Sequence, residues 1–97
     1  MYALVLIRYR LPNEKVDEVR GEHRVYLRGL KEKGILIASG PLDPMSGGAL
    51  LVRVPDENVQ ESLTALRNGD PFFQKNIANY ELIPWTPVIG KEDLDKL

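Results

Sequence analysis

Four short apolar segments of the chain predict the strands of a β-sheet. Residues 2–10, YALVLIRYR, are rich in aromatic and β-branched side chains and contain neither glycine nor proline, as is typical of a strand. Pro84 cannot donate a hydrogen bond to a neighbouring strand, so we expect the last strand to lie near a sheet edge or to end there. The other strands are predicted at residues 35–39, 49–54 and 78–85.

Two longer segments predict helices between these strands. The first has Asn13 as its N-cap and reaches Lys33, where Gly34 is expected to stop it. The second is capped by Asp56 and runs to about Asn68, with apolar residues at helical spacing on one face. The order β-α-β-β-α-β predicts an α+β, ferredoxin-like fold, in which both helices cover one face of a four-stranded antiparallel sheet.

The remaining segments predict a loop, a short turn and a tail. Residues 42–48 have turn-forming residues at nearly every position and predict a loop. Asp70 and Pro71 are expected to be the N-cap and the first residue of a short helical turn. We therefore expect one domain at residues 1–88, followed by a tail at residues 89–97 for which the sequence predicts no element.

The predicted strands are apolar on both sides, although only two helices are available to cover the sheet. In the first strand, Val5 and Ile7 alternate with Leu4 and Leu6, so neither side is polar. An antiparallel sheet with one face in water should alternate between apolar and polar side chains. We therefore expect a second copy of the chain to pack on the uncovered face, which gives a homodimer joined sheet to sheet.

Charge and composition narrow the classes of partner. The 97 residues carry a formal net charge of −1, which predicts no broad attraction to nucleic acid or to an anionic membrane. The chain has no cysteine, which excludes disulfides and thiolate chemistry and is compatible with a reducing cytoplasm, where we expect the protein to work. The longest apolar run is too short for a membrane span or a secretion signal.

The single histidine lies on the apolar side of the first predicted helix. With a turn of about 100° per residue, Val16, Val19, Leu27 and Leu30 fall in one arc, and His23 lies near its middle. One interpretation is a core histidine held by hydrogen bonds. The other is an imidazole at the floor of a cleft between helix and sheet, where this residue type suits proton transfer near neutral pH. No metal site is expected, because ligands are too few.

Three other segments could contribute to such a cleft. Asp70 has bulky apolar neighbours in NGDPFF and could orient the imidazole, even if its second oxygen caps the turn that follows. Ser39, Gly40 and Pro41 end the second strand, where a hydroxyl and a backbone N–H could bind a substrate oxygen; a simple turn is the alternative. Arg8, near the end of the first strand, could bind a carboxylate.

The chain resembles the YCII-related family in a combination of segments. These are RY near the end of the first strand, HRVYLRGLKEKGILIASGPL and GDPFFQKNIANYELIPW, and the resemblance extends from about residue 1 to residue 88. It implies a ferredoxin-like domain that dimerises as an α/β barrel. It also implies acid–base chemistry by a histidine and an aspartate, which correspond here to His23 and Asp70. Ser39 matches the serine that borders the same cleft.

Two hypotheses about function follow from the sequence. The first is a small enzyme without cofactor or metal, in which His23 is the general acid or base, Asp70 orients it and Ser39 binds a substrate oxygen. The reaction would be an isomerisation, elimination or hydrolysis of a small molecule, such as a phenolic or lactone-like ring. The second is a non-catalytic dimeric module that binds a small molecule or a protein. The aromatic residues expected to line the cleft are Phe72, Tyr26 and Trp85.

Overall fold

Eight elements follow one another along the chain, and the computed structural model describes all residues from 1 to 97. The strands are hydrogen bonded in the order β2-β3-β1-β4, and each neighbouring pair is antiparallel. The predicted α+β, ferredoxin-like βαββαβ arrangement is confirmed. The strands are β1 (Tyr2–Tyr9), β2 (Leu36–Leu42), β3 (Gly47–Arg53) and β4 (Ala78–Trp85). The helices are α1 (Asn13–Glu32), α2 (Val59–Asn68), α3 (Pro71–Gln74) and α4 (Lys91–Asp95).

The hydrophobic core lies between the helices and one side of the sheet, which we call the helix face. Alternation along β1 buries Ala3, Val5 and Ile7 on this face. The apolar stripe predicted for the first helix is buried in the same cluster, as are the two buried leucines of α2. The helical members of the cluster are Val16, Val19, Leu27, Leu30, Leu63 and Leu66.

The other side of the sheet, which we call the open face, is also largely apolar. The register pairs Leu4 with Leu51 and Ile83, and all three side chains are partly exposed. Leu6 and Ala49 form the next pair on this face and are partly exposed as well. The prediction that neither face of the sheet is polar is therefore confirmed, and a single chain leaves the middle of the open face uncovered.

The C-terminal tail forms α4 and is bound to one end of the open face. The Tyr2 hydroxyl donates to Oδ1 of Asp95 at 2.5 Å, and Arg53 donates to the carbonyl oxygens of Leu94 and Leu97 at 2.9 and 3.0 Å. Tyr2 and Arg53 are directly paired between β1 and β3. The tail therefore packs on the sheet of its own chain. No helix of the protein combines the length and apolar character that crossing a membrane requires.

Both helix starts differ from the prediction, whereas the end of α1 agrees with it. Asn13 is the first residue of α1, and no side chain caps that helix. Asp56 does not cap α2 but binds the N-terminal ammonium of Met1 at 2.7 Å, a charged partner that competes for its carboxylate. Asn58, with a left-handed backbone, precedes α2 instead. Gly34 follows α1 with φ of 78°, a conformation that favours glycine.

The second strand is longer than predicted and contains a β-bulge. It continues through the GP pair, so only residues 43–46 separate it from β3. Leu36 and Ala38 pair with consecutive residues of β3, which breaks the side-to-side alternation between them. Regular alternation would place Leu36 and Ala38 on the same face, but the bulge places them on opposite faces. Beyond the bulge, Ser39 pairs with a core residue of β3 and turns to the helix face.

Candidate active site

The side chains of His23, in α1, and Asp70, directly before α3, are in contact on the helix side of the sheet. Nδ1 of His23 lies 2.8 Å from Oδ1 of Asp70. The Asp70 side chain is fully buried, and only 12% of the His23 side chain is exposed. A carboxylate accepts hydrogen bonds and cannot donate them, so the bonded Nδ1 carries the proton. In the neutral ring, this leaves Nε2 unprotonated.

Asp70 is held in place as the N-cap of α3, as the sequence predicts. Its Oδ1 accepts a hydrogen bond from the backbone N–H of Phe72 at 3.1 Å, and Pro71 occupies the first helical position. From the sequence, one carboxylate oxygen could cap the turn while the other binds the histidine. In the structure, Oδ1 makes both contacts, so the cap fixes the same atom that orients His23.

Tyr80 lies near enough to this carboxylate for the charge of Asp70 to act on its phenol. Oδ2 of Asp70 and the hydroxyl of Tyr80 are both buried, and neither meets the geometry of a hydrogen bond. Burial raises the pKa of Tyr80 far above its usual value, and the nearby charge of Asp70 raises it further. The phenol is therefore kept neutral beside the carboxylate. Sequence reasoning missed Tyr80, whose only signal is that alternation along β4 turns it to the helix face.

Phe72 packs against the imidazole ring of His23 and does not line the cleft. Its ring stacks on that of His23, with the centroids 4.0 Å apart and the planes at 9°. With an exposed fraction of 1%, Phe72 has no surface for a ligand, in contrast to the expectation from sequence. Tyr26 also lies outside the cleft, where it donates to the carbonyl oxygen of Leu66 at 2.7 Å. Trp85 ends β4 on the open face, paired with Tyr2.

A cleft of about 180 Å³ opens beside His23, between α1 and the adjoining strands. Its lining contains apolar side chains, polar side chains and glycines, at which the backbone is exposed to the cleft. No aspartate or glutamate lines it. The structure thus brings the SGP segment of β2 together with the histidine, because the bulge turns Ser39 inward. The polar wall and the SGP segment are formed by His23, Arg20, Arg24, Ser39, Gly40 and Pro41.

Two glycines at the start of β3 make room for this cleft. Gly47 approaches β1 so closely that a Cβ atom would lie 1.7 Å from the carbonyl oxygen of Ile7. Gly48 pairs with Ile7 and lines the cleft without a side chain. A Cβ there would lie 3.3 Å from the carbonyl oxygen of Gly40. The sequence predicts a loop at both glycines, whereas the structure places them in β3.

Arg8 lies on the opposite side of the sheet from His23. Alternation along β1 turns Ile7 and Tyr9 toward the cleft and Arg8 toward the open face. Its side chain is exposed there. Within one chain, Arg8 therefore cannot bind a carboxylate in the cleft, which corrects the expectation that rested on its position near the strand end.

Two other arginines, both missed from the sequence, line the cleft next to His23. Arg20 is fixed by hydrogen bonds to Oδ1 of Asp17 at 3.0 Å and to the hydroxyl of Tyr9 at 3.2 Å. Burial lowers the pKa of Arg20, but the hydrogen bonds and charges of Tyr9 and Asp17 together more than offset this effect, so the pKa is raised. Arg24 makes no hydrogen bond or ion pair within the chain and lines the same cleft. Arg20 lies three residues before His23, which was an available signal, whereas Arg24 directly follows His23 and helical spacing predicts that it points away.

No group of three or more histidine, cysteine, aspartate or glutamate side chains converges where it could hold a metal ion. The site brings together several groups that can take part in acid–base chemistry. They are an imidazole with a free Nε2, a buried carboxylate that orients it, a hydroxyl and two guanidinium groups.

Comparison with known proteins shows a similar solved structure and a family to which the chain belongs. A solved structure with the same fold is 5-chloro-2-hydroxyhydroquinone dehydrochlorinase (TftG) from Burkholderia phenoliruptrix AC1100, in complex with 2,5-dihydroxybenzoquinone. The two chains are 18% identical with a TM-score of 0.75, over 91% of this chain and 96% of that one. No curated protein matches the chain in sequence. The sequence model of the YCII-related domain matches residues 1–86, and the chain therefore belongs to the YCII-related family.

Proposed function

We propose that this protein is a small enzyme without a cofactor that transfers protons through His23. The observation that carries the proposal is the 2.8 Å contact between His23 Nδ1 and the fully buried Asp70, beside a cleft. With Nδ1–H directed at the carboxylate, Nε2 is the nitrogen that takes or returns a proton. Asp70 stabilises the imidazolium that forms when His23 accepts one.

Ser39 supplies the second part of the proposed chemistry. When a base removes a proton from a carbon next to a carbonyl group, negative charge moves onto the carbonyl oxygen. A hydroxyl placed near that oxygen stabilises the charge and lowers the barrier. His23 then returns the proton to another carbon, which completes an isomerisation, or to a leaving group, which completes an elimination. The same base could activate a water molecule for hydrolysis.

The cleft suits a small substrate. Its volume of about 180 Å³ is below the about 300–1,000 Å³ that is typical of pockets for drug-sized ligands. The structural neighbour TftG was solved with 2,5-dihydroxybenzoquinone, a small hydroxylated quinone, which supports a ring compound of similar size here. The aromatic contact expected from Phe72 is absent, and Tyr9, Pro41 and Met45 provide the ring-sized apolar surface instead.

Proton exchange on a model substrate tests this proposal. A β,γ-unsaturated lactone in deuterated water reports both proton abstraction and isomerisation by NMR. We expect wild-type protein to accelerate both, and His23→Gln to lower the rate by about 10²–10⁴-fold. Asp70→Asn should cause a loss of up to about 10⁴-fold, because it disturbs the tautomer of the ring. Glu22→Gln is the matched control, since Glu22 lies on the outer side of α1 and pairs with Lys75.

Two results would overturn the proposal. One is a rate in His23→Gln and Asp70→Asn equal to that of wild type. The other is failure of the wild-type protein to accelerate proton exchange on unsaturated lactones and on hydroxylated quinones alike. The second result, combined with binding of such rings in the cleft, would support the non-catalytic module instead.

We also propose that the protein acts as a homodimer, in a reducing compartment such as the cytoplasm. The uncovered, partly exposed Leu4, Leu6, Leu51 and Ile83 of the open face support the dimer. Burying these side chains against a second sheet would remove apolar surface from water, which is the main driving force of association. The absence of cysteine is compatible with the reducing compartment.

A further inference from the structure

The walls of the cleft carry positive charge and no negative charge. Arg20 and Arg24 line it, whereas no aspartate or glutamate does. Asp70 is buried behind the imidazole and already accepts two hydrogen bonds through Oδ1. The chain as a whole has a formal net charge of −1, so this concentration of cations is local.

Basic side chains continue along α1 past the cleft. Arg24, Arg28 and Lys31 line the adjoining groove beside β2, which again contains no acidic residue. With Arg20, these residues are spaced by four, four and three positions, which places them along one side of the helix. Like charges at this spacing destabilise an isolated helix. Lys31 lies in the last turn, where a positive charge stabilises the end of a helix, but Arg20 and Arg24 lie far from that end, so helix stability does not explain their positions.

The two cleft arginines differ in how they are held. Arg20 is oriented in advance by Asp17 and Tyr9, and part of its charge is already balanced. Arg24 has no partner in the chain, so all its donors are available to a ligand. A guanidinium group binds a carboxylate or a similar oxyanion through two parallel hydrogen bonds, and such charge-assisted bonds are the stronger ones.

We propose that the substrate of this site is a small anion, with a carboxylate or an ionised phenol or enol that binds Arg24 while Arg20 supports it. This inference rests on the proposed function, because it places the reacting carbon against Nε2 of His23. The basic stripe on α1 draws the anion toward the cleft, and this attraction weakens as salt screens it. A pair of ligands that differ in charge but not in shape can separate this electrostatic recognition from simple filling of the cleft.

Benzoate and benzamide form such a pair, and their binding can be followed by amide NMR. We expect benzoate to shift the amide signals of Ser39, Gly40 and Gly48 at millimolar concentration, and benzamide to bind at least about tenfold more weakly. Arg24→Gln should weaken benzoate binding by about 10–100-fold, the range for loss of a charge-assisted hydrogen bond. Lys33→Gln is the control, because it removes one positive charge from the end of α1 outside the cleft.

The proposal is overturned if benzoate and benzamide bind equally, if neither shifts the cleft signals, or if Arg24→Gln and Lys33→Gln bind benzoate alike. The His23→Gln variant distinguishes failure of the anion proposal from failure of the proposed catalytic function. If proton exchange is lost in His23→Gln but the wild type does not prefer benzoate over benzamide, the catalytic proposal is supported and the anion proposal is not. Selective benzoate binding together with unchanged exchange in His23→Gln would leave only the anion site.

Discussion

At the scale of single residues, the site depends on how a buried carboxylate is stabilised. A charge removed from water is costly unless hydrogen bonds replace the lost hydration. Asp70 receives two such bonds at Oδ1, from His23 and from the backbone of Phe72. Its Oδ2 makes none, and the neutral phenol of Tyr80 lies nearby. The position of the carboxylate is therefore fixed through Oδ1, while Oδ2 is still able to accept a hydrogen bond.

The neutral phenol gives the protein a sensitivity to alkali. Since folding raises the pKa of Tyr80, its contribution to stability is complete below about pH 10, the usual pKa of a phenol, and is lost as the pH rises further. We expect the free energy of unfolding of wild type to fall more steeply above that pH than that of Tyr80→Phe, by at most about 1.4 kcal/mol per pH unit. Urea unfolding across this pH range measures the difference. Parallel curves would contradict the placement of Tyr80.

Part of this residue-level detail could be read from the sequence. The angular position of His23 and the DP pair at the start of α3 predicted the side of the helix and the cap. The sharing of Oδ1 between cap and imidazole could not be predicted, because it depends on how α1 packs against α3. Tyr80 and Arg24 were missed for the same reason, since alternation and helical spacing give directions but not neighbours.

At the scale of elements, regular alternation predicted some strands better than others. It correctly divided β1 between the core and the open face, and β3 alternates between them in the same way. It failed in β2, where the bulge after Leu36 moves Ala38 to the open face and Ser39 to the cleft. Nothing local in ILIASGP marks that bulge, because it arises from pairing with β3. The inward position of Ser39 was implied by family resemblance and not by periodicity.

At the scale of the whole molecule, the open face predicts association. We expect sedimentation equilibrium at micromolar concentration to give twice the 11.0 kDa mass of one chain. Leu51→Lys, which places a charge in the middle of the open face, should shift the protein toward monomer. Val25→Lys is the matched control, because Val25 is exposed on the outer side of α1. A monomeric wild type, or a dimer unaffected by Leu51→Lys, would show that the sheets do not form the interface.

The most direct test of the central claim is the tautomer of His23 in its neutral form. The chain contains one histidine, so the ¹⁵N signals of the imidazole belong to this residue alone. The 2.8 Å contact between Nδ1 and Oδ1 of Asp70 predicts a proton on Nδ1 and none on Nε2, and Asp70→Asn should raise the share of the other tautomer. A wild-type ring protonated at Nε2 would contradict the account, because the nitrogen assigned to the substrate could not accept a proton.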